Sequence, residues 1–372
     1  MASSPRSSAA LTALVYGALL TSLLAARGWD ATSFVMAGIP VVARDSLPAG
    51  FAVIDGQAGY DGQYYYRLAL EPFTREATAH GIRLDLPAYR QQRILYPVLA
   101  RLASLGQPSA IPSALILINF LALVALGWLG GVYARQLDRS PLWGAALPLY
   151  IGFVTSLSRD LAEPLECALV LGGLLLLRRE RPWIAGAALA AAVLTRETAI
   201  LVPAGVALAG VIHDRQRLQR NWLPAIAVPL VVFALWQVWL WHVWGVTAFG
   251  EGSRNAGAPF SGLMVALGGG IWHWHWPWVL AVLVILATAI AGAVAWRTSP
   301  LLPGERWSWL LYLLLLVSVG SKVWGDNHAF IRAAAEFSML GALLLLAAEQ
   351  RWTRWILGAG LIAWLGAASQ LV

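Results

Sequence analysis

The chain has 372 residues, of which 59% are hydrophobic and only 12% are charged. Soluble domains carry roughly 25% charged residues, and here apolar runs of bilayer length recur from end to end, so the composition excludes a soluble globular protein. The net charge of +7 does not indicate nucleic-acid binding, because the basic residues lie in short connections between apolar runs.

Eleven apolar segments are predicted to cross the membrane as helices, since long continuous apolar runs favour helices over the alternating strands of a barrel. The first segment follows Arg6 and could also be a signal peptide. We favour a retained span. Cleavage of this segment would leave the other spans oriented as before. The sequence thus predicts an all-α polytopic membrane protein with a single transmembrane domain, 1–372. The predicted spans are 9–27, 111–133, 142–157, 161–177, 183–195, 198–213, 222–245, 277–296, 307–322, 329–348 and 354–371.

Basic residues between the spans indicate the orientation. Alternate connections carry twelve arginines and five acidic residues, and all of these connections fall on one side if the N-terminus is inside. The positive-inside rule assigns that side to the cytoplasm. The remaining connections, including a large first extracytoplasmic loop at 29–110, then face outward. The inner residues are Arg135, Asp138, Arg139, Arg178, Arg179, Glu180, Arg181, Asp214, Arg215, Arg217, Arg220, Arg297, Glu305, Arg306, Glu349, Arg351 and Arg354.

The first outer loop contains the triplet Asp-Gly-Gln twice, beginning at Asp55 and at Asp61. The second copy includes Gln63 and continues into Tyr64 and Tyr65 with helical spacing, so Asp61 is predicted at or next to a helix N-terminus. Two compatible roles follow for its carboxylate: an N-cap, or a base that accepts a proton from a substrate hydroxyl. The glutamine and the tyrosines suit sugar binding.

The end of this loop, 89–102, is predicted to form an amphipathic helix in the membrane surface, begun or kinked by Pro97. Headgroup contact accounts for Arg101, whereas Arg93 is predicted to bind a substrate phosphate. The two faces consist of Arg90, Arg93 and Arg101, and of Leu95, Val98, Leu99 and Leu102.

Three further outer segments, 158–166, 195–198 and 326–336, place charges at the ends of spans, where charges usually have a partner or a role. One interpretation is internal pairing of Arg332 with Glu336, and of Arg196 with Glu163 or Glu166. The other is substrate binding, which their common location on the outer side favours. The candidate binding residues are Arg159, Asp160, Glu163, Arg196, Glu197, His328, Arg332 and Glu336.

The tryptophan-rich segment 271–278 is also predicted outside. An aromatic belt at the membrane interface is favoured over a sugar-stacking platform. Its two histidines, His273 and His275, do not have the spacing of a metal-binding motif.

Three stretches together resemble the bacterial members of the GT-C superfamily, polytopic glycosyltransferases that use a polyprenyl-phosphate-linked sugar. They are Tyr60-Asp61-Gly62-Gln63-Tyr64-Tyr65-Tyr66, Arg93-Ile94-Leu95-Tyr96-Pro97 and Thr195-Arg196-Glu197. The resemblance implies a catalytic acidic residue in the first outer loop, which Asp61 matches, with Asp55 second. Many members carry two adjacent acidic residues there, whereas these aspartates are six residues apart. Some members need a divalent metal; the sequence shows no clear ligand set, so no metal or other cofactor is assigned.

The resulting hypothesis is an inverting glycosyl transfer at the outer face of the bacterial inner membrane. Asp61 would act as base and polyprenyl phosphate would leave, bound by Arg93, Arg196 or Arg332, with Arg159 next. Glu197, Asp160 and Glu163 would orient these arginines or bind sugar hydroxyls. The expected partners are the donor lipid, a glycan, lipid or protein acceptor, and membrane lipids. The alternatives are a polytopic transporter, for which the two short spans around Arg196 argue, and a polysaccharide polymerase or ligase.

Overall fold

A computed structural model describes residues 4–213, 215–217, 222–270, 273–348, 350 and 352–372. Within them the chain is mostly helical with almost no sheet, which confirms the all-α prediction. Six predicted positions lie outside the described residues: Ile271 and Trp272 of the tryptophan-rich segment, and Asp214, Arg220, Glu349 and Arg351 of the inner connections.

The helices, in chain order, are α1 Pro5–Ala26, α2 Gly62–Leu70, α3 Pro87–Gln91, α4 Leu95–Ala103, α5 Ile111–Gln136, α6 Ile151–Ser158, α7 Glu163–Arg178, α8 Pro182–Thr195, α9 Leu201–His213, α10 Arg215–Arg217, α11 Leu223–Trp244, α12 Ala248–Gly252, α13 Ser261–Val265, α14 Trp276–Ala295, α15 Pro303–Val317, α16 Ser321–Trp324, α17 Asn327–Ala333, α18 Ala335–Ala347 and α19 Thr353–Leu371. Four strands of two residues each form two small sheets. The strands are β1 Ala37–Gly38 paired in parallel with β2 Val53–Ile54, and β3 Thr78–Ala79 paired antiparallel with β4 Ile82–Arg83.

Among the described residues, four helices are long and apolar enough to cross a membrane: α1, α5, α11 and α14. The pair α17 and α18 makes a fifth if its two members, bent by 53° at their junction, are one span. The long helices carry large apolar side chains on their outer surfaces, for example Leu14, Leu235 and Ile290, each about two-thirds exposed. Such surfaces suit contact with lipid rather than water.

The count of eleven spans stays a prediction, and predicted span 142–157 is among those that do not form one continuous helix. Segment 142–157 consists of a 3₁₀ turn, Pro141–Ala146, followed by the separate helix α6. Pro148 lies between them and cannot donate the backbone hydrogen bond that a continuous helix needs. The helices α7, α8 and α15 have 16, 14 and 15 residues, fewer than the roughly 20 of a typical span.

The predicted helix at 89–102 is also divided, into α3 and α4. Pro97 is the third residue of α4, and its ring prevents the helix from continuing back through Arg93. Arg101 donates hydrogen bonds to the carbonyls of Ala69 and Leu70 and so closes the C-terminus of α2, instead of extending to a lipid headgroup. Leu102 is 65% exposed beside it, as the amphipathic pattern predicts.

The helix α7 has a buried ion pair at its C-terminal end. Arg178 lies 2.7 Å from Glu305, which also accepts a hydrogen bond from the Tyr133 hydroxyl at 3.0 Å. Both charged residues belong to connections predicted to be cytoplasmic. Glu163 begins the same helix at its other end, about 22 Å away at 1.5 Å per residue. The two ends of α7 therefore lie in two separate charged regions.

Candidate functional site

Asp61 occupies the predicted position immediately before α2, but its side chain does not cap the helix. Its carboxylate oxygen Oδ1 accepts a hydrogen bond from Arg90 Nη1 at 2.8 Å, and Oδ2 accepts one from Arg332 Nη2 at 3.1 Å. The predicted location is confirmed, and the predicted N-cap bond is absent because two arginines from distant helices take both oxygens.

Gly62 allows α2 to begin against the turn between α6 and α7. A Cβ atom on Gly62 would lie 2.5 Å from the Arg159 carbonyl oxygen and 2.7 Å from that of Val35. Those distances leave no room for a side chain, so the glycine of the Asp-Gly-Gln triplet brings Asp61 next to the charges of the outer turns.

Arg332 connects Asp61 to the interior. Its Nε donates to Glu163 Oε1 at 2.7 Å, and Ser156 Oγ lies 2.9 Å from the other oxygen of Glu163. The predicted pair of Arg332 with Glu336 is wrong. The 53° bend between α17 and α18 separates these residues, although four positions on one straight helix would bring them together.

Arg196 completes this arrangement. Its Nη1 lies 3.1 Å from Glu336, 3.3 Å from Glu166 and 3.8 Å from Glu163, which confirms the predicted pairing and adds a third carboxylate. Thr198 Oγ1 also donates to Glu336 at 2.7 Å. These carboxylates are at most 1% exposed, so the guanidinium lies among buried acidic groups.

A second ion pair lies close by. Arg93 donates two hydrogen bonds, at 2.8 and 2.6 Å, to the two oxygens of Glu197, and a third to the Tyr89 hydroxyl at 2.7 Å. Burial alone would raise the pKa of Glu197, but the charge of Arg93 lowers it to about 2. Arg93 therefore has its own carboxylate and lacks a free face for a phosphate. We call the connected residues the charged cluster: Asp61, Arg90, Arg93, Glu163, Glu166, Arg196, Glu197, Arg332 and Glu336.

The electrostatics keep Asp61 ionised. Burial opposes ionisation, but the charges of Arg90 and Arg332 outweigh it and hold the pKa of this carboxyl well below its usual range. The side chain is still 22% exposed, whereas the carboxylates behind it are buried. Asp61 and Glu197 are thus the two acidic groups of the charged cluster that remain partly exposed, and both are bound by arginines.

Arg159 differs from the arginines of the charged cluster. Within the described part of the chain it forms no ion pair, and its guanidinium contacts Ser158 Oγ at 3.2 Å and His328 Nε2 at 3.0 Å. Burial, together with the positive charges of Arg27 and Arg332, lowers the pKa of Arg159 to about 10. Because no carboxylate among the described residues pairs with this guanidinium, its donors are suited to an anion.

His328 and Tyr60 lie beside Arg159. A guanidinium can only donate, so His328 Nε2 accepts and a neutral ring carries its proton on Nδ1, which is buried without a partner in the described residues. The Tyr60 ring lies 5.5 Å from the Arg159 guanidinium and 5.2 Å from that of Arg332. Both cations thus lie within 5.5 Å of the same aromatic ring, and His328 also packs edge-on against Trp278.

Other predicted residues are not brought into the charged cluster. Asp55 is on the surface, with its side chain 72% exposed, and pairs with Arg44 at 2.8 Å. Gln63 has both ends of its amide occupied within the loop, since it accepts from the Gly38 N–H at 3.1 Å and donates to the Ala58 carbonyl at 2.8 Å.

The tyrosines and Asp160 are largely buried. Tyr64 lies under the Arg90 guanidinium at 4.1 Å, and Tyr65 is 3% exposed. Asp160 is fully buried in a left-handed backbone conformation, with φ at 51°, and neither of its oxygens has a partner among the described residues. Burial raises the pKa of Asp160 well above its ordinary value, and with neither oxygen bonded among the described residues this side chain does not orient an arginine as predicted.

Sequence reasoning did not assign Arg90 a substrate or site role, although it binds Asp61 more closely than any other residue does. The sequence pattern could have indicated such a role, because Arg90 lies three positions before Arg93 on the same face of the predicted helix. Tyr60 and Thr198 belong to stretches that the sequence analysis singled out, but neither was predicted as a site residue. Among the described residues, no three His, Cys, Asp or Glu side chains come together as a metal-binding group.

No family model matches the chain, and neither does any curated protein or solved structure.

Proposed function

We propose that the protein is a membrane glycosyltransferase of the GT-C type, which moves a sugar from a polyprenyl-phosphate donor to an acceptor at the outer membrane face. The observation that carries the proposal is the position of Asp61. An ionised, partly exposed carboxylate lies where the outer loop meets arginines from α3 and α17. That is the arrangement needed for a proton acceptor next to a binding site for an anionic leaving group.

The phosphate is assigned to Arg159 rather than to the arginines favoured by the sequence. Arg93, Arg196 and Arg332 are all occupied by carboxylates, and a phosphate would have to displace those. Arg159 offers a planar group with several donors, and no carboxylate in the described chain pairs with it directly. The Nδ1–H of His328 is a further donor, and it has no partner within the described part of the chain.

The chemical step is a single displacement. The acceptor hydroxyl attacks the anomeric carbon, its proton passes to Asp61, and the bond from that carbon to the phosphate oxygen breaks. The electron pair leaves on the phosphate, whose growing charge Arg159 stabilises. Attack from the face opposite the leaving group inverts the anomeric configuration. Stabilisation of a leaving group in this way is commonly worth about 3 kcal/mol, or roughly a hundredfold in rate.

The distribution of charge supports a location at one membrane face. The charged cluster includes the N-terminal end of α7 and the C-terminal end of α8, while the buried pair of Arg178 and Glu305 lies at the opposite end of α7. A lipid phosphate lies at headgroup depth, so groups at helix ends can reach it. We infer a bacterial inner-membrane protein with a cytoplasmic N-terminus and eleven crossings, whose acceptor is a glycan, a lipid or a protein.

Transport is a second candidate function, favoured by the bend between α17 and α18. Discontinuous helices bearing charged residues are typical of transporter binding sites. Here Arg332 and Glu336 flank the bend, but both are bound to carboxylates or cations of neighbouring helices.

The decisive experiment incubates purified protein with a panel of polyprenyl-phosphate sugars and candidate acceptors. We expect release of polyprenyl phosphate together with a glycosylated acceptor of inverted configuration. Transfer of whole glycan chains would instead indicate a polymerase or ligase. Uptake of a sugar lipid or sugar phosphate into sealed vesicles, without any change in covalent structure, would indicate a transporter and refute the proposal.

A further inference from the structure

The two oxygens of Asp61 are bound in different ways. Oδ2 contacts Arg332, which also binds the fully buried Glu163. Oδ1 contacts Arg90 through one hydrogen bond, from Nη1 at 2.8 Å. Each oxygen thus already accepts a hydrogen bond from a guanidinium, which leaves one lone pair on each and lowers the basicity of both, so an acceptor hydroxyl must compete with an arginine.

Arg90 has a second carboxylate partner at the surface. Its Nε lies 2.8 Å from Asp85 Oδ1, and its Nη2 lies 3.2 Å from Asp85 Oδ2. The guanidinium also packs on the Tyr64 ring at 4.1 Å. Arg90 would therefore remain paired and stacked if its single bond to Asp61 were broken, because two of its three hydrogen bonds to carboxylates go to Asp85.

Arg332 cannot be released so easily. It is 8% exposed and its other partner, Glu163, is completely buried, so movement away from Asp61 would disturb the interior. The contact with Arg90 is thus the exchangeable one, and Oδ1 is the oxygen that can become available.

We propose that Arg90 is a positioning residue, which occupies Oδ1 of Asp61 in the empty site and gives up that oxygen to the acceptor hydroxyl while it remains bound to Asp85. This inference rests on the proposed function, since it concerns the same base. In the step, the acceptor oxygen bonds to the anomeric carbon and its proton goes to Oδ1. The carbon–phosphate oxygen bond breaks, and its electron pair leaves with the phosphate.

When Arg90 gives up Oδ1 to the acceptor hydroxyl, the basicity of Asp61 changes as well. The ionisable groups that face Asp61 are Arg90, Arg93, Arg332, Tyr60, Tyr64 and Tyr65, and the three arginines favour its ionised form. When Arg90 withdraws, one of these positive charges weakens and the carboxylate becomes a stronger base. The acceptor would therefore increase the basicity of the group that deprotonates it.

The first test compares the titration of Asp61 in the purified full-length protein and in Arg90→Gln, without substrate. The infrared carboxyl band of Asp61 is isolated by subtracting the Asp61→Asn spectrum, recorded in the same background. In Arg90→Gln we expect protonation at a proton concentration at least about tenfold lower than in the wild type, a shift of one pKa unit or more. An unchanged titration would overturn the proposal.

Turnover provides the second test. Arg90→Gln should keep at least about a third of the wild-type rate at neutral pH, because the base is retained, and the acid limb of kcat/KM should move to higher pH with the titration. A loss as large as that of Asp61→Asn would overturn the positioning role. If no lipid-linked sugar reacts with any variant, the proposed function fails, whereas the infrared titration still decides how Arg90 acts on Asp61.

If Arg90→Gln does not fold, the variant Asp85→Asn tests the same proposal. Without Asp85, Arg90 should bind Asp61 more persistently and compete with the acceptor. We expect the acceptor KM to rise by about three- to tenfold, equivalent to roughly one hydrogen bond, while the donor KM stays unchanged. An unchanged acceptor KM would contradict the proposal.

Discussion

The carboxylate of Asp61 and the guanidinium of Arg332 lie 3.1 Å apart although 271 residues separate them in the chain. One belongs to the first outer loop and the other to α17, close to the end of the sequence. Arg332 in turn reaches Glu163 of α7, and Glu163 lies beside Arg196 at the end of α8. One continuous set of charge contacts therefore joins the loop to three helices.

Replacement of Asp61 by Asn should reduce sugar transfer by at least about a hundredfold, because the amide keeps the size of the side chain but cannot take up the proton. Polyprenyl phosphate released from a lipid-linked donor measures the rate. Asp55→Asn is the matched control, since it changes the other Asp-Gly-Gln triplet at an exposed position, and it should retain wild-type activity. Equal losses in the two variants would contradict the assignment of the base.

Replacement of Arg159 by Lys should weaken the binding of polyprenyl phosphate by about tenfold or more. The charge is conserved, but the planar group with its paired donors is lost. Affinity is measured by the change in intrinsic tryptophan fluorescence on titration with polyprenyl phosphate in detergent. Arg44→Lys, at the exposed surface, should bind as the wild type does. Undiminished affinity in Arg159→Lys would remove this residue from the phosphate site.

Replacement of Arg196 by Met should destabilise the protein by about 3–5 kcal/mol, because it leaves buried carboxylates without their cation. Glu336→Gln should cost less, since Arg196 keeps Glu166 and Glu163 as partners. Thermal unfolding in detergent, followed by circular dichroism, measures both. The order of the two losses is the critical result, and a larger loss in Glu336→Gln would be inconsistent with these contacts.

The pair of Arg93 with Glu197 should give a pH-dependent contribution to stability. The pKa of Glu197 in the folded protein, about 2, is below its ordinary value of about 4.5. The stabilisation is therefore fully present above about pH 4.5 and is lost as the pH falls toward 2. The melting temperatures of the wild type and Glu197→Gln should differ at pH 6 and converge toward pH 2. Glu76→Gln, at an exposed position, should show no such convergence.

Replacement of Gly62 by Ala should impair activity without removing any charged group. The added methyl group would collide with the carbonyls of Arg159 and Val35 and displace the start of α2, and with it Asp61. We expect a loss of at least about tenfold, since small displacements of catalytic groups are costly. Gly17→Ala in α1 is the control, because nothing lies within 4 Å of its Cβ position and the variant should be fully active.

The sequence allowed prediction of the helical class, the position of Asp61 and the pairing of Arg196. These follow from apolar run length, from helical spacing and from the cost of charge beside a span. The pair of Arg332 with Glu336 could not be judged from spacing, because spacing assumes a straight helix and this one bends between them. The break at Pro148 was likewise hidden within an apolar run.

The partner of each arginine was the least predictable feature. Local patterns predict both Arg93 and Arg159 at the outer face, yet Arg93 is bound by Glu197, whereas Arg159 has only Ser158 and His328 as hydrogen-bonding partners among the described residues. This difference depends on which helix ends meet, and that is decided by packing across the whole chain. The structure therefore changes which arginine is the best candidate for the phosphate.

The helix α7 is tethered by opposite charges at its two ends, Glu163 to Arg332 and Arg178 to Glu305. Sliding this helix by one turn, about 5.4 Å, would pull both pairs apart at once. The position of α7 along its own axis, relative to the neighbouring helices, is therefore fixed by an ion pair at each end. A mutation that breaks the pair of Arg178 with Glu305 should consequently disturb the position of Asp61, one helix length away.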